Sequence, residues 1–243
     1  MTAAGVDPFR AAPHGDPEVL AVVEALATEC RSRSAQPAIL DCGCGDGGHV
    51  FRLAAQLPFC RFVGIDLSPV NVAQAEARCR ETGLADRVAF LAGDYTALPA
   101  GTFEIVVAIS VLHLIETADD RLFGKLAADL KPGGHLVASM PYRGGYNRVL
   151  WTLRRCLRAV RSPLLDRAIL LAARTLYGNR WEPAALADRL PYMYSLPVRA
   201  DGPRFRKMLA TRYGLELVQC EPAPHASLAQ PKHRILVFRR TAI

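Results

Sequence analysis

Long apolar runs are what this sequence most plainly lacks. No stretch of about 18 apolar residues occurs, so no transmembrane helix is expected. Met1-Thr2-Ala3-Ala4-Gly5-Val6-Asp7-Pro8 has neither the charged start nor the apolar centre of a secretory signal, and a cytoplasmic protein is expected. The seven cysteines are an odd number without framework spacing, which argues against a disulfide-stapled scaffold. Cys42-x-Cys44 has no second pair with which to hold a metal, and both cysteines read as small side chains in a tight loop. Internal repeats and low-complexity tracts are absent. Lysine is scarce, 4 against 26 arginines, so the formal charge of +7 is carried almost wholly by guanidinium groups. Such basicity raises the expectation of an anionic partner without naming one.

What is present is enough for one full α/β core with a short extension or lid beside it. The chain has 243 residues, 51% apolar and 22% charged, an ordinary balance for a globular protein. Its organising stretch is Ile39-Leu40-Asp41-Cys42-Gly43-Cys44-Gly45-Asp46-Gly47-Gly48-His49-Val50, followed by the apolar-periodic Phe51, Leu53, Ala54 and Leu57. That pattern predicts a buried strand, a glycine turn and the first turns of a helix, a unit that binds nucleotide-like cofactors. Gly43, Gly45 and Gly48 also satisfy the dinucleotide fingerprint, with Asp66 ending the next strand, so a nicotinamide dehydrogenase is a genuine competitor. Asp41 argues against it. A carboxylate at the mouth of the loop, with Asp46 inside it, would repel a pyrophosphate at the helix N-terminus. The same acids suit a ligand with a cationic centre and an ammonium group, and S-adenosylmethionine has both and no phosphate.

Here the chain resembles the class I S-adenosylmethionine-dependent methyltransferases. The resemblance rests on Asp41-Cys42-Gly43-Cys44-Gly45-Asp46-Gly47, on Asp66 in Val63-Gly64-Ile65-Asp66-Leu67-Ser68, and on Asp94 after Val88–Ala92. It continues through Phe103–Ile109 with Ser110-Val111-Leu112-His113, and through Leu130-Lys131-Pro132-Gly133-Gly134 leading into strand five. It is close over about residues 36–141. It implies a Rossmann-like, seven-stranded, mostly parallel sheet with helices on both faces, its last two strands paired antiparallel. The expected organisation is an N-terminal extension and helix (1–34), a cofactor-binding core (35–141), a helical insertion or lid after strand five (142–200), and the end of the core (201–243). The alternation of short strands with helices asks independently for a parallel sheet covered on both sides.

The resemblance also assigns roles. Asp41 would anchor the loop or the methionine amino group, with Gly43, Gly45 and Gly47 forming the cradle. Asp66 would accept hydrogen bonds from the ribose hydroxyls. Asp94 with Tyr95 would hold adenine, Tyr95 or Leu67 covering the ring. Ser110 would lie beside the methionine moiety or be only a turn residue. His113, just past strand four, is the candidate general base, its alternative being a packed helix-face residue. Glu116 reads as an early-turn helix residue, and His49 lies on the first core helix without an evident partner.

Beyond strand five the pattern changes. Two helical stretches, about 146–160 and 164–177, carry nine arginines between Arg143 and Arg180 against one acid, Asp166. Three readings stay open: a lid over the acceptor, a surface for an anionic membrane, or a solvated helix face. An apolar acceptor with a carboxylate or phosphate would suit Trp151, Tyr192 and Tyr194 beside arginine. No RNA-binding module is visible, nor the Asn/Asp-Pro-Pro-Tyr/Phe signature of amino-directed DNA methyltransferases, so nucleic acid is not the expected partner. The sequence thus predicts methylation of a small molecule at oxygen. Lipid or quinone methylation at a membrane, or a cofactor-binding subunit without turnover, are the alternatives.

Overall fold

The computed structural model of the chain describes residues 17–99, 101–177, 190–224 and 230–241. Met1–Pro8 and Arg180, named above, lie outside these residues. Helix α1 (Pro17–Cys30) buries Val19, Val23 and Ala27 at four-residue spacing, one stripe of a 3.6-residue helix. Strand β1 (Ala38–Cys42) is buried at every position, as a central parallel strand covered on both faces must be. Helix α2 (Gly48–Gln56) and strand β2 (Arg61–Asp66) follow. The next helix, α3 (Pro69–Glu81), starts where Ser68 caps it by accepting from the Asn71 N–H, with proline in the first turn. It runs out at Gly83, whose φ of 66° suits glycine.

Strand β3 (Val88–Ala92), a short 3₁₀ turn (Tyr95–Ala97), strand β4 (Phe103–Ile109), helix α4 (Asp119–Asp129) and strand β5 (Leu130–Pro141) complete the first half. Lys131-Pro132-Gly133-Gly134, expected to separate helix from strand, is instead inside β5. The strand pairs Leu130 with Phe103, and the β4–β5 register shifts before Ile105 meets His135. Gly134 is required there, because a Cβ would come within 2.9 Å of the Glu104 and Lys131 carbonyl oxygens. Helices α5 (Gly145–Ala159) and α6 (Pro163–Tyr177), a 3₁₀ turn (Leu190–Met193), helix α7 (Pro203–Tyr213) and strands β6 (Leu215–Pro222) and β7 (His233–Arg240) finish the described chain.

The sheet order is β3-β2-β1-β4-β5-β7-β6, with β7 antiparallel to both neighbours and the first five strands parallel. Alternate residues feed opposite layers, as the two-residue period of a strand demands. Ile105 and Val107 join α1, α2 and α3 in one core; Val106 and Ala108 join α4 and α7 in the other. Strand order reverses between β1 and β4, so the crevice for a ligand lies at their carboxyl ends. Residues 142–200 leave and rejoin the core at one neck. Tyr142 bridges Asp201, the Asp201 N–H donates to the Pro141 carbonyl and the Arg143 N–H to the Asp201 carbonyl. Asp201, 1% exposed, is held by Arg206 at 2.6 Å through both oxygens. No helix among the described residues is long and apolar enough to cross a membrane.

Candidate active site

The loop after β1 turns on three glycines in the left-handed region: Gly43 (φ 78°), Gly45 (φ 55°) and Gly47 (φ 79°). Packing adds a second reason for two of them. A Cβ on Gly43 would stand 2.8 Å from Val111, and one on Gly47 the same distance from Phe51 and Phe90. The chain's own side chains, as much as a ligand, therefore exclude substitution at these positions. The loop is lashed to the end of β2: the Gly43 and Cys44 N–H groups donate to the Ile65 carbonyl, and the Gly45 N–H donates to Asp66 Oδ2 at 2.8 Å.

Asp41 sits beneath this loop, 4% exposed. Its Oδ2 is buried and has no hydrogen-bond partner among the described residues. Burial pushes its carboxyl from 3.8 up to about 6; His49 opposes the rise and the neighbouring Asp66 adds to it. A buried carboxylate short of donors is costly, and a cationic group bearing N–H donors would relieve it. Asp66 is better satisfied. Its Oδ1 accepts from the Ser68 N–H at 2.9 Å and the Asn71 side-chain amide at 3.2 Å, besides the Gly45 bond to Oδ2. An ionised carboxylate offers about four lone-pair sites, so these three bonds fix its orientation and leave capacity for a ligand hydroxyl. Asn71, 2% exposed, is a positioning residue the sequence reading missed, because an asparagine in the first turn of a helix has no motif of its own.

Leu67 follows directly and is 55% exposed, an apolar side chain held open at the strand end. Asp94 is exposed, and its Oδ1 accepts from the Thr96 N–H (2.8 Å) and hydroxyl (2.9 Å), capping the 3₁₀ turn. Tyr95 is a correction. Its ring is buried in the α4-side core, and its hydroxyl donates to Asp129 Oδ2 at 2.7 Å, so it cannot cover a ligand in the crevice. Of the two expected covers, Leu67 is the one left at the surface.

At the end of β4, Ser110 has φ 57°, the one non-glycine residue in the left-handed region among the described residues. Its Oγ lies 3.2 Å from His233 Nδ1, and Ser139 Oγ lies 3.3 Å from the same nitrogen. His113 occupies a turn rather than the helix face weighed as its alternative, and its ring meets that of His233 edge-on with centroids 5.2 Å apart. The His113 Nδ1 is buried without a hydrogen-bond partner among the described residues. Burial holds this imidazole well below the usual histidine range, with His233 and Arg154 adding to the depression. It is therefore neutral at pH 7. His233 was not anticipated: antiparallel β7 brings its first residue opposite Pro141 at the carboxyl end of β5. The available signal was a histidine opening the strand expected to run backwards.

The 142–200 segment contributes from above. On α5, Asn147, Leu150 and Arg154 are buried on the inward face. Asn147 ties this helix to β7, donating to the Tyr142 and Lys232 carbonyls and accepting from the Lys232 N–H. Trp151 lies beside Arg154 on the helix surface and is partly buried, its Nε1 enclosed without a hydrogen-bond partner among the described residues. Arg154 donates to the Ser195 carbonyl at 3.0 Å. Tyr194, expected to meet an acceptor, is a second correction: it is 5% exposed, its hydroxyl donates to Asp166, and Arg161 stacks on its ring. That arrangement clamps α6 to residues 190–194. The Tyr192 side chain lies outside the described residues. Arg199, also not anticipated, locks the return of the segment to the β4–α4 loop, donating to Asp119 at 2.6 Å and to the carbonyls of Leu112, Ile115 and Thr117.

Burial pushes the thiols of Cys42 and Cys44 upward, which keeps both neutral, as small packed side chains in the loop. A groove of about 480 Å³ opens along β6 and β7 between Tyr142 and Cys220, sharing His233 with the cluster above.

Comparison with known proteins agrees with this geometry. The sequence profile of a methyltransferase domain family matches residues 39–134. Trans-aconitate 2-methyltransferase of Methylobacterium radiotolerans is 33% identical over 161 residues, 62% of this chain and 55% of that protein. Release factor glutamine methyltransferase of Moorella thermoacetica is 39% identical over 138 residues, 53% of this chain and 47% of that protein. The chain thus spans about half the length of these relatives. Among solved structures, magnesium protoporphyrin IX methyltransferase from Synechocystis, with S-adenosylhomocysteine bound, superposes with a TM-score of 0.59 at 15% identity, covering 96% of this chain and 91% of that one. Residues 39–134 thus match a methyltransferase domain family, and the seven-stranded sheet around them has the Rossmann-like order of the class I methyltransferase fold.

Proposed function

We propose that the chain is an S-adenosylmethionine-dependent methyltransferase acting on a small-molecule acceptor, at an oxygen atom that His113 deprotonates. The observation that carries the cofactor is Asp41: a buried acid with one oxygen unpartnered among the described residues, under a glycine loop that matches a methyltransferase domain. The residues fit the cofactor. Asp41 suits its ammonium group, Asp66 has acceptor capacity for a ribose hydroxyl, and Leu67 and Asp94 are open at the neighbouring strand ends to take the base. S-adenosylhomocysteine in the magnesium protoporphyrin IX methyltransferase structure supports the same cofactor here.

Bound in this site, the cofactor supplies an electrophilic methyl group on a sulfonium that leaves as a neutral thioether. The protein then has to align the acceptor, exclude water and receive a proton. His113, neutral, can receive it at Nδ1 with its own proton on Nε2, since Nδ1 has no hydrogen-bond partner among the described residues. His233, edge-on to His113 and anchored near Ser110 and Ser139, holds the ring orientation. The α5 face with Trp151 and Arg154 covers this end of the sheet, and its arginine charge suits an acceptor that is apolar with an anionic group. The relatives act on acceptors as different as trans-aconitate and a release factor, so the acceptor is read from this site rather than from them. The test is incubation of purified chain with label-bearing methyl donor and small-metabolite extracts. Labelled product of low mass that requires His113 supports the reading; label transferred only to protein or RNA refutes it.

A further inference from the structure

We propose that the outward face of the α5–α6 pair is a docking surface for an anionic phospholipid bilayer. On α5, Val149 and Leu153 share one stripe, four residues apart, and are 72% and 53% exposed; Val160, the C-cap residue just past the helix, is 65% exposed. The buried side of the same helix is a different one, Asn147, Leu150 and Arg154. On α6, Leu164 and Leu171 lie on one stripe at 75% and 64% exposure, while Leu165, Ile169 and Leu170 are half-buried on the other side. Both helices therefore use one apolar side to pack and present a second to solvent. Isolated exposed leucines are ordinary; five large exposed aliphatics within the 23 residues from Val149 to Leu171 are more than that.

The charge on the same two helices names the occupant. Arg148, Arg155, Arg158, Arg161, Arg167 and Arg174 are all exposed on or between these helices. The acid among them, Asp166, is engaged by Tyr194 and lies 3.5 Å from Arg161. On α6, Arg167 and Arg174 fall within a quarter-turn of the Leu164–Leu171 stripe, and exposed aliphatics beside guanidinium groups suit a helix lying in a membrane interface, where side chains enter the acyl region and arginines reach phosphates. A second copy of the chain would bring two arginine-rich faces together with no free carboxylates between them. Nucleic acid would satisfy the arginines but leave the aliphatic stripes uncovered, with no ring on them for a base to stack against. The inference is independent of methyl transfer, since it concerns exposed side chains and not the buried α5 residues Asn147, Leu150 and Arg154.

Flotation of the full chain with mixed phosphatidylglycerol–phosphatidylcholine vesicles tests it. The chain should float with these vesicles at about 0.1 M salt and not with pure phosphatidylcholine, and should be released near 1 M, where the screening length falls to about 3 Å. Each arginine near an anionic surface contributes about fivefold to partitioning, so Arg167→Glu with Arg174→Glu should lower it more than tenfold. Leu164→Glu with Leu171→Glu should do the same at unchanged thermal midpoint, since both side chains are solvent-facing. Leu164→Trp should show a fluorescence blue shift on anionic vesicles. Absence of flotation, equal flotation with neutral vesicles, binding that survives both double substitutions, or binding without a blue shift overturns the proposal. So does a stable dimer through this face, or RNA binding that competes the vesicles off.

Discussion

Asp41 permits a prediction with a definite size and sign. Its carboxyl is raised from 3.8 to about 6 because burial removes water from the charged form, so the ionised group is held at a disadvantage of about 3 kcal/mol. In the ligand-free protein the folded state keeps its proton between those two values while the unfolded chain has lost it. The contribution to stability is therefore present below pH 3.8 and is lost as pH rises to about 6. A bound ammonium group reverses the preference and draws the proton off. Affinity for S-adenosylhomocysteine should accordingly strengthen about tenfold from pH 5 to pH 7 and level off above. Calorimetric titration across that range measures it, and proton release on binding, read from buffers of different ionisation enthalpy, reports the same event independently. Asp41→Asn should bind more weakly at pH 7 and lose most of the slope. A wild-type affinity that is flat from pH 5 to 7, or a slope that survives Asp41→Asn, would refute the assignment of this acid to the cationic end of the ligand.

Three other substitutions separate neighbouring roles. Asp66→Ala should weaken cofactor binding by about 1.5–3 kcal/mol, as expected for bonds to a charged acceptor, and equal binding by isothermal titration would remove Asp66 from the site. His113→Gln should lower kcat with little change in the cofactor dissociation constant. In the wild type kcat should stay level down through pH 6.5, where an ordinary histidine is already half protonated; a fall centred there would contradict the buried neutral ring. Tyr95→Phe should cost about 1 kcal/mol in denaturant unfolding by removing the bond to Asp129, and should leave cofactor affinity as it was. Weakened binding without lost stability would return Tyr95 to the crevice.

Much of this arrangement was legible from local pattern. The five-residue β1, the glycine turn and the Ser68-Pro69 helix start each depend on residues adjacent in sequence, so propensity and capping chemistry reveal them. The acids at the ends of β1 and β2 follow, because a parallel sheet puts successive strand ends on one rim. What local pattern does not carry is side-chain direction off a loop. Tyr95 and Asp94 are neighbours, yet one turns into the core and the other caps a turn at the surface. Long-range partners are equally hidden. His233 reaches the His113 ring through the reversal of β7, and Asp201 meets Tyr142 across the whole 142–200 segment. Tyr194 looked like an aromatic wall for an acceptor, but Asp166 and Arg161, distant in sequence, claim it.

The account stands on the choice of a sulfonium amino acid over a pyrophosphate at the glycine loop. Parallel titrations of the purified chain with S-adenosylmethionine and with NADH test that choice most directly. Saturable, one-to-one binding of the methyl donor, lost in Asp66→Ala, with no heat from NADH, is the predicted result. Saturable NADH binding with none of the methyl donor would contradict it.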